Sequence, residues 1–369
     1  MIRVLIYEFG IPLICFLLSI SLIYFGVNSK KTKKKYIFYN LSAIFIAIFL
    51  FEIYSHFKNK DHINSNAKYS GSFFDNEIVA GKKQNVGYGP KNDTSFQVSA
   101  IRKNNDSIVY NVNYTFVNGK RYIPNNMNSS NNHLYFLGCS HVFGDGLNDN
   151  QTLPYFVNKY ANKKYKISNY GFSGYGTHQA LSILKNEILL SKEIEENTNS
   201  CVIYSFIPAH FERAAGYKLW DPNGPKYEVE NNQLIFKGSF DENNFIKENY
   251  VTKRLKTIWK NAYIYKSIFA PKLKTEDVIR VSEIVKEMAS VLKEKNIRFI
   301  VLLGRSDLNN TKENKFYQEL KLNQIEHYFV SNIIPNINDK DYTIYGDGHP
   351  NEKYNSVLGK FLVKKLNSN

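Results

Sequence analysis

The chain has 369 residues, is 43% hydrophobic and 15% aromatic, and carries a formal net charge of +15. That length suits one large domain with appendages and a sizeable core. Five lysines fall in one run (Lys30, Lys31, Lys33, Lys34, Lys35) and the other basic residues are scattered among Asn and Tyr; with no basic helix and no nucleic-acid motif, the charge does not mark a nucleic-acid binder.

Residues 4–27 (VLIYEFGIPLICFLLSISLIYFGV) and 37–56 (IFYNLSAIFIAIFLFEIYSH) are each long and apolar enough to span a bilayer. A signal peptide is the rival for the first. It lacks a strongly basic start and a small-residue cleavage site, and a second span follows directly. A two-helix transmembrane anchor is therefore expected over 1–57. The lysine run lies in the turn between the spans, which the positive-inside rule assigns to the cytoplasm. The C-terminal part is then expected outside the inner (cytoplasmic) membrane, periplasmic or extracellular in a bacterium. Glu8 and Glu52 fall near the outer ends of the spans, where interfacial placement is expected. Cys15 lies in the first span. Cys139 and Cys201 lie in or beside apolar runs and are read as buried thiols, because three cysteines make no disulfide framework.

Residues 58–75 read as a polar linker. Within 76–125, "SIVYNVNYTFVNGKRYIP" alternates as a strand does and turns at Asn118-Gly119. A small β element packed on the main domain is expected there, and "IPNNMNSSNNH" (123–133) reads as a further linker, so 58–132 is linker plus β element. From 133 the pattern becomes strand, helix, strand, helix. Short apolar runs at 133–137, 165–170, 201–206 and 297–303 suit strands of a parallel sheet buried on both faces. Residues 276–294 repeat apolar positions at Val278, Val281, Ile284, Val285, Met288, Val291 and Leu292, a helical stripe that Thr275 is placed to cap. Residues 351–366 put Tyr354, Val357, Leu358, Phe361 and Leu362 on one face. This alternation predicts a doubly wound α/β domain over 133–369, interrupted at about 217–250 by an insertion whose "KYEVENNQLIFKGSF" reads as a hairpin turning at Asn231-Asn232.

Three blocks carry side chains suited to chemistry. In "FLGCSHVFGDG" an apolar strand ends at Gly138-Cys139-Ser140. A loop after a parallel strand opens at the carboxyl edge of the sheet, where ligands bind, and the amides of a following helix suit an oxyanion. In "NYGFSGYGTHQA" (169–180), Gly171, Gly174 and Gly176 allow backbone amides to approach a bound group. In "DGHPNEKYNSVLG" (347–359), His349 precedes Pro350, which is able to open a helix, and Asp347 stands two residues before the ring. Serine, remote histidine and carboxylate are the nucleophile, base and orienter of acyl transfer. Taken singly, Ser140 also reads as a strand end and Asp347–Pro350 as a surface turn.

In this order the three blocks resemble the GDSL/SGNH hydrolase superfamily, over about 133–366. Gly138-Cys139-Ser140 stands where the family has Gly-Asp-Ser, Gly174 where a glycine amide joins the oxyanion hole, and His349 at the catalytic histidine. The wider pattern is similar to membrane-anchored bacterial members. The resemblance implies a three-layer α/β/α fold with a central parallel sheet, flavodoxin-like in type. It also implies a serine esterase with Ser140 as nucleophile, His349 as base, the amides of Ser140 and Gly174 on the oxyanion, and neither cofactor nor metal. There are three departures. Cys139 replaces the family's Asp. The third block's Asn is missing from "IPAHFERAAG", where His210 and Arg213 stand as alternative oxyanion donors. The acid lies two residues before the histidine rather than three, with Gly346 in the usual place, so either Asp347 orients His349 or Ser140 and His349 act as a dyad.

His141, His178, His210 and His349 have no metal-ligand spacing, and "DGLNDNQT" (145–152) lacks the glycine and closing glutamate of a calcium loop. The expected activity is on ester substrates, O-acyl carbohydrates outside the membrane, by hydrolysis or O-acyl (O-acetyl) transfer through one acyl-enzyme, with a polysaccharide-pathway membrane protein as partner. The altered third block motivates the other reading, a catalytically silent domain that binds a glycan or a membrane partner.

Overall fold

A computed structural model describes residues 2–58, 67–75, 79, 81–91, 94–104, 107–127, 130–191, 200–218, 220–241, 250–305, 307, 309–336 and 340–368. Of the linker expected at 58–75, residues 59–66 lie outside them, while Ala67–Ser70 form a strand and Ser72–Asp75 a short helix rather than linker. The chain forms two compact units, Met1–Asn66 with Asn244–Lys272, and Ala67–Asn243 with Leu273–Asn369.

The first unit holds α1 (Ile2–Asn28) and α2 (Thr32–Lys58). Both are long and apolar enough to cross a membrane, with windows of mean hydropathy 2.2 and 1.9. Most of their large apolar side chains are exposed, among them Leu17, Ile20, Ile44 and Leu50. Such an all-round apolar surface is costly in water and suits lipid. The Ser42 hydroxyl donates to the Ser19 carbonyl across the pair at 3.1 Å. The chain later returns to this unit as α7 (Tyr250–Asn261) and a π-helical turn, Tyr265–Phe269.

The second unit is built on a nine-stranded sheet. Its strands are β1 (Ala67–Ser70), β4 (Phe96–Asn104), β5 (Ser107–Val117), β6 (Lys120–Arg121), β7 (His133–Gly138), β8 (Lys166–Asn169), β9 (Cys201–Phe206), β12 (Arg298–Leu303) and β13 (Glu326–Phe329). The two-residue strands β2 (Lys82–Lys83) and β3 (Gly87–Tyr88) pair apart from it, as do β10 (Pro225–Glu230) and β11 (Gln233–Ser239). In the order β8-β7-β9-β12-β13 every pair is parallel. That is the 2-1-3-4-5 order of a flavodoxin-like doubly wound sheet, and its switch point falls between β7 and β9.

Side-chain alternation on buried strands divides the core in two. Leu134 and Phe136 of β7 and Ile300 and Leu302 of β12 face one way, against Leu153 and Val157 of α4 (Leu153–Tyr160) and Leu358 and Leu362 of α10 (Glu352–Leu366). Tyr135, Leu137, Val301 and Leu303 face the other way. There they meet α5 (Thr177–Ile183), α6 (Ala209–Ala214), α8 (Thr275–Glu294) and α9 (Thr311–Leu322). Helices thus cover both faces of the parallel strands, giving three layers.

Some local details depart from expectation. The β element at 76–125 is not a separate piece packed on the domain: β1, β4, β5 and β6 continue the central sheet antiparallel, joined where Arg121 pairs with Asn169. Thr275 is the first helical residue of α8 rather than its cap, and the Asp277 carboxylate accepts from the Lys274 N–H at 2.8 Å. Asn351, not Pro350, opens α10, its side chain accepting from the Tyr354 N–H at 3.1 Å. The edge strand β13 is too short and too polar to announce itself. The hairpin turns at Asn231-Asn232, both at positive φ (50° and 61°), as a two-residue turn with right-handed twist requires. Cys139 and Cys201 are buried free thiols.

Candidate active site

β7 delivers the candidate nucleophile to the switch point. Gly138 takes φ 153°, and a Cβ there would lie 2.7 Å from Val142 Cγ2 and 3.1 Å from the Ser205 carbonyl oxygen, so the tight turn requires glycine. Cys139 is fully buried, and Ser140 begins the short helix α3 (Ser140–Phe143) with 6% exposure. Asn169, at the end of β8, donates to the Val142 carbonyl at 3.0 Å and accepts from the Gly171 N–H at 3.0 Å, fastening α3 to the glycine loop.

His349 comes from the turn before α10. Its Nε2 lies 2.9 Å from Ser140 Oγ, and its Nδ1 is hydrogen-bonded to Asp347 Oδ1. The same carboxylate oxygen accepts from the His349 backbone N–H at 3.0 Å. A spacing of two residues therefore suffices, because the aspartate closes an Asx-type turn on its own chain. The other oxygen, Oδ2, is ion-paired with Arg102 of β4. Asn104 Nδ2 donates to the Gly346 carbonyl at 2.8 Å and Arg305 donates to the Gly348 carbonyl, so the histidine turn is clamped from two sides.

A second carboxylate stands at the same imidazole. Asp145 Oδ2 lies 4.0 Å from His349 Nε2, and Ser173 Oγ lies 2.6 and 2.8 Å from the two Asp145 oxygens. Burial pushes the Asp145 carboxyl up, while His349, the Ser173 hydroxyl and Arg121 hold it down. Burial also pushes His349 below the ordinary imidazole value. Asp145 opposes that shift, and Arg305, Arg102 and Arg213 add to it. The His141 ring meets His349 edge-on at 5.8 Å and is held neutral, chiefly by burial.

Ser173 leads into Gly174, which has φ 81°. A Cβ at Gly174 would lie 2.5 Å from the Tyr88 hydroxyl and 2.9 Å from Trp220 Nε1. Tyr88 donates to the Ser173 carbonyl at 2.8 Å. Among the described hydrogen bonds, neither the Ser140 nor the Gly174 backbone N–H donates. Of the two alternatives for the third donor, His210 is entirely buried, with Nδ1 on the Tyr204 hydroxyl at 2.8 Å. Arg213 donates from Nη1 to the Tyr175 carbonyl at 2.7 Å, and its charge is felt by His141, Asp145 and His349. His178 is taken up by Asp221 at 2.8 Å. Among the described residues no three of His, Cys, Asp and Glu gather as metal ligands.

Arg102, Ser173 and Arg305 do not stand out in the sequence, and Asp145 does so only as the first residue of 145–152. One signal was available: Val98, Ala100 and Arg102 alternate on the buried side of β4, and a charged residue in an apolar register needs a partner.

No family profile matches the chain, and no curated protein does. Comparison with solved structures finds similarity to a lipolytic protein of the G-D-S-L family from Desulfitobacterium hafniense, at 11% identity and TM-score 0.37 over 63% of this chain and 98% of that one. A GDSL-like lipase from Bacteroides thetaiotaomicron is similar at 13% identity and TM-score 0.34, over 64% and 88%. AlinE4, an SGNH-hydrolase family esterase, is similar at 15% identity and TM-score 0.31, over 66% and 100%. These are distant likenesses of fold.

Proposed function

We propose that the chain is a serine esterase of SGNH type that acts on O-acyl carbohydrates through an acyl-enzyme at Ser140. The observation that carries this reading is the 2.9 Å contact of Ser140 Oγ with His349 Nε2, while Nδ1 of the same ring is held by Asp347. In the proposed sequence, Oγ attacks the ester carbonyl as His349 takes its proton. The amides of Ser140 and Gly174 receive the oxyanion, with Arg213 as third donor. Collapse expels the alcohol, protonated by His349, and water or a sugar hydroxyl then takes the acyl group by the reverse steps. A depressed imidazole pKa keeps His349 unprotonated, and ready as a base, at neutral pH.

The carbohydrate assignment is supported by Trp220, 53% exposed and adjoining Gly174. A flat apolar ring with a polar edge beside the reacting centre suits the face of a sugar ring. The extracytoplasmic location is supported by the lysine turn between α1 and α2.

A fluorophosphonate probe tests the chemistry. Wild-type protein should be labelled at Ser140 and should hydrolyse acetylated sugars or transfer their acyl groups. Ser140→Ala should lose the label and reduce the rate by on the order of 10^4-fold or more. An unlabelled Ser140 with unchanged ester turnover in Ser140→Ala would leave the silent, glycan-binding reading. A periplasm-dependent reporter fused to the C-terminus should be active.

A further inference from the structure

Between Tyr250 and Lys272 the chain carries six basic residues and no acidic one: Lys253, Arg254, Lys256, Lys260, Lys266 and Lys272. Interleaved with them, Leu255, Trp259, Ile268 and Phe269 are exposed, at 52, 38, 64 and 57%. Trp259 packs on Tyr265 and Phe269 with ring centroids 5.9 and 5.6 Å apart. Four of the six, Lys253, Arg254, Lys256 and Lys260, fall on α7, which makes it a basic helix that the sequence, with its lysines spread among aromatics, does not display as one.

Its docking fixes its level along the apolar pair. A Cβ on Gly10 would lie 2.8 Å from Ile258 Cγ2, so the glycine admits α7 closely against α1. The buried Glu52 carboxylate of α2 accepts from the backbone N–H groups of Tyr263 and Ile264 at 3.0 and 2.6 Å. Gly10 stands 18 residues before the end of α1 at Asn28, about 27 Å along the axis. Glu52 stands 20 residues after the start of α2 at Thr32, about 30 Å along it. Both contacts thus lie about one hydrocarbon thickness from the lysine turn, roughly 30 Å. An apolar, aromatic and cationic helix at that depth has the composition of an interfacial segment.

We propose that Tyr250–Phe269 lies in the plane of the membrane at the face opposite the lysine turn, with Leu255, Trp259, Ile268 and Phe269 in the acyl boundary and the net positive charge of the segment drawing anionic lipid. The proposal rests on α1 and α2 crossing the membrane. The Glu52 carboxylate, satisfied by two backbone donors, is then a lock for this segment rather than an isolated charge in a span.

Trp220 and Trp259 are the two tryptophans of the chain, so Trp220→Phe leaves Trp259 as sole emitter. The full-length variant is placed in phosphatidylcholine vesicles with and without phosphatidylglycerol. Its emission should be lost when the lipid bears bromine near the glycerol end of the acyl chain, largely retained when bromine is deep, and blue-shifted by the anionic lipid. Trp259→Phe provides the same signal by difference from wild type, without touching Trp220. Retention through carbonate washing, with Trp259 unquenched by brominated lipid and open to acrylamide, overturns the in-plane placement and leaves the spans. Quenching as strong by deep bromine, or emission buried but insensitive to lipid as a protein partner would make it, overturns it equally. Release of the protein by carbonate removes the spanning reading itself, and the proposal with it.

Discussion

Asp145 Oδ2 and Ser140 Oγ face the same nitrogen, His349 Nε2, at 4.0 and 2.9 Å. Asp347, on the far side of the ring, is neutralised by Arg102, so the carboxylate with charge to spare is Asp145. In the proposed reaction, where His349 takes the serine proton, Asp145 would stabilise the imidazolium and Asp347 would fix the tautomer. Asp145→Asn should lower kcat/KM by about 10–100-fold. It should also move the acid limb of the pH profile down, because a negative charge that raises the His349 pKa has been removed. A profile unmoved by Asp145→Asn would reduce this carboxylate to a tether for Ser173.

Arg102→Gln predicts the opposite shift. Arg102 lowers the His349 pKa, and its removal leaves Asp347 unneutralised; the acid limb should move to higher pH. Loss of the Arg102–Asp347 ion pair should also loosen the histidine turn, reducing kcat by about 100-fold. Profiles of the two variants measured in one buffer series provide the comparison.

The contrast between these residues and Ser140 explains what is legible in the sequence. The strands β7, β9 and β12 are short apolar runs, and α8 is a seven-position stripe, so period and length identify them. Ser140, Asp347 and His349 stand at strand and helix ends with glycine and proline beside them. Arg102 and Asp347 are 245 residues apart and meet only because the antiparallel strands continue the parallel sheet. That continuation hangs on the pairing of Arg121 with Asn169, and no local period encodes it. Membership of 244–272 in the apolar unit is likewise a matter of tertiary contact, made by Gly10 and Glu52.

Three histidines, His141, His210 and His349, have pKa values lowered by burial. The unfolded chain takes up protons at about pH 6.5, where the folded state does not. The contribution of these rings is therefore fully present above that value and is lost as pH falls below it, towards the folded pKa values. The slope is up to about 4 kcal/mol per pH unit for three groups. Thermal unfolding followed from pH 7.5 down to pH 5.5 should show Tm falling in this window. His210→Phe, which fits a site of aromatic contacts with Tyr204 and Phe206, should flatten the fall.

Between Arg213 and His210, the variants Arg213→Ala and His210→Phe separate the third oxyanion donor. Arg213 donates to the glycine loop at Tyr175 and its charge reaches His349 and Asp145, whereas the His210 ring has no exposure and its Nδ1 is taken by Tyr204. A donor lost from a developing oxyanion costs about 10^2–10^3-fold in kcat with little change in KM, and Arg213→Ala should show that pattern. His210→Phe should alter stability before rate. Equal losses of kcat in both variants, with labelling of Ser140 intact, would mean that the donor at this position acts through the fold of α6 rather than through Arg213 itself.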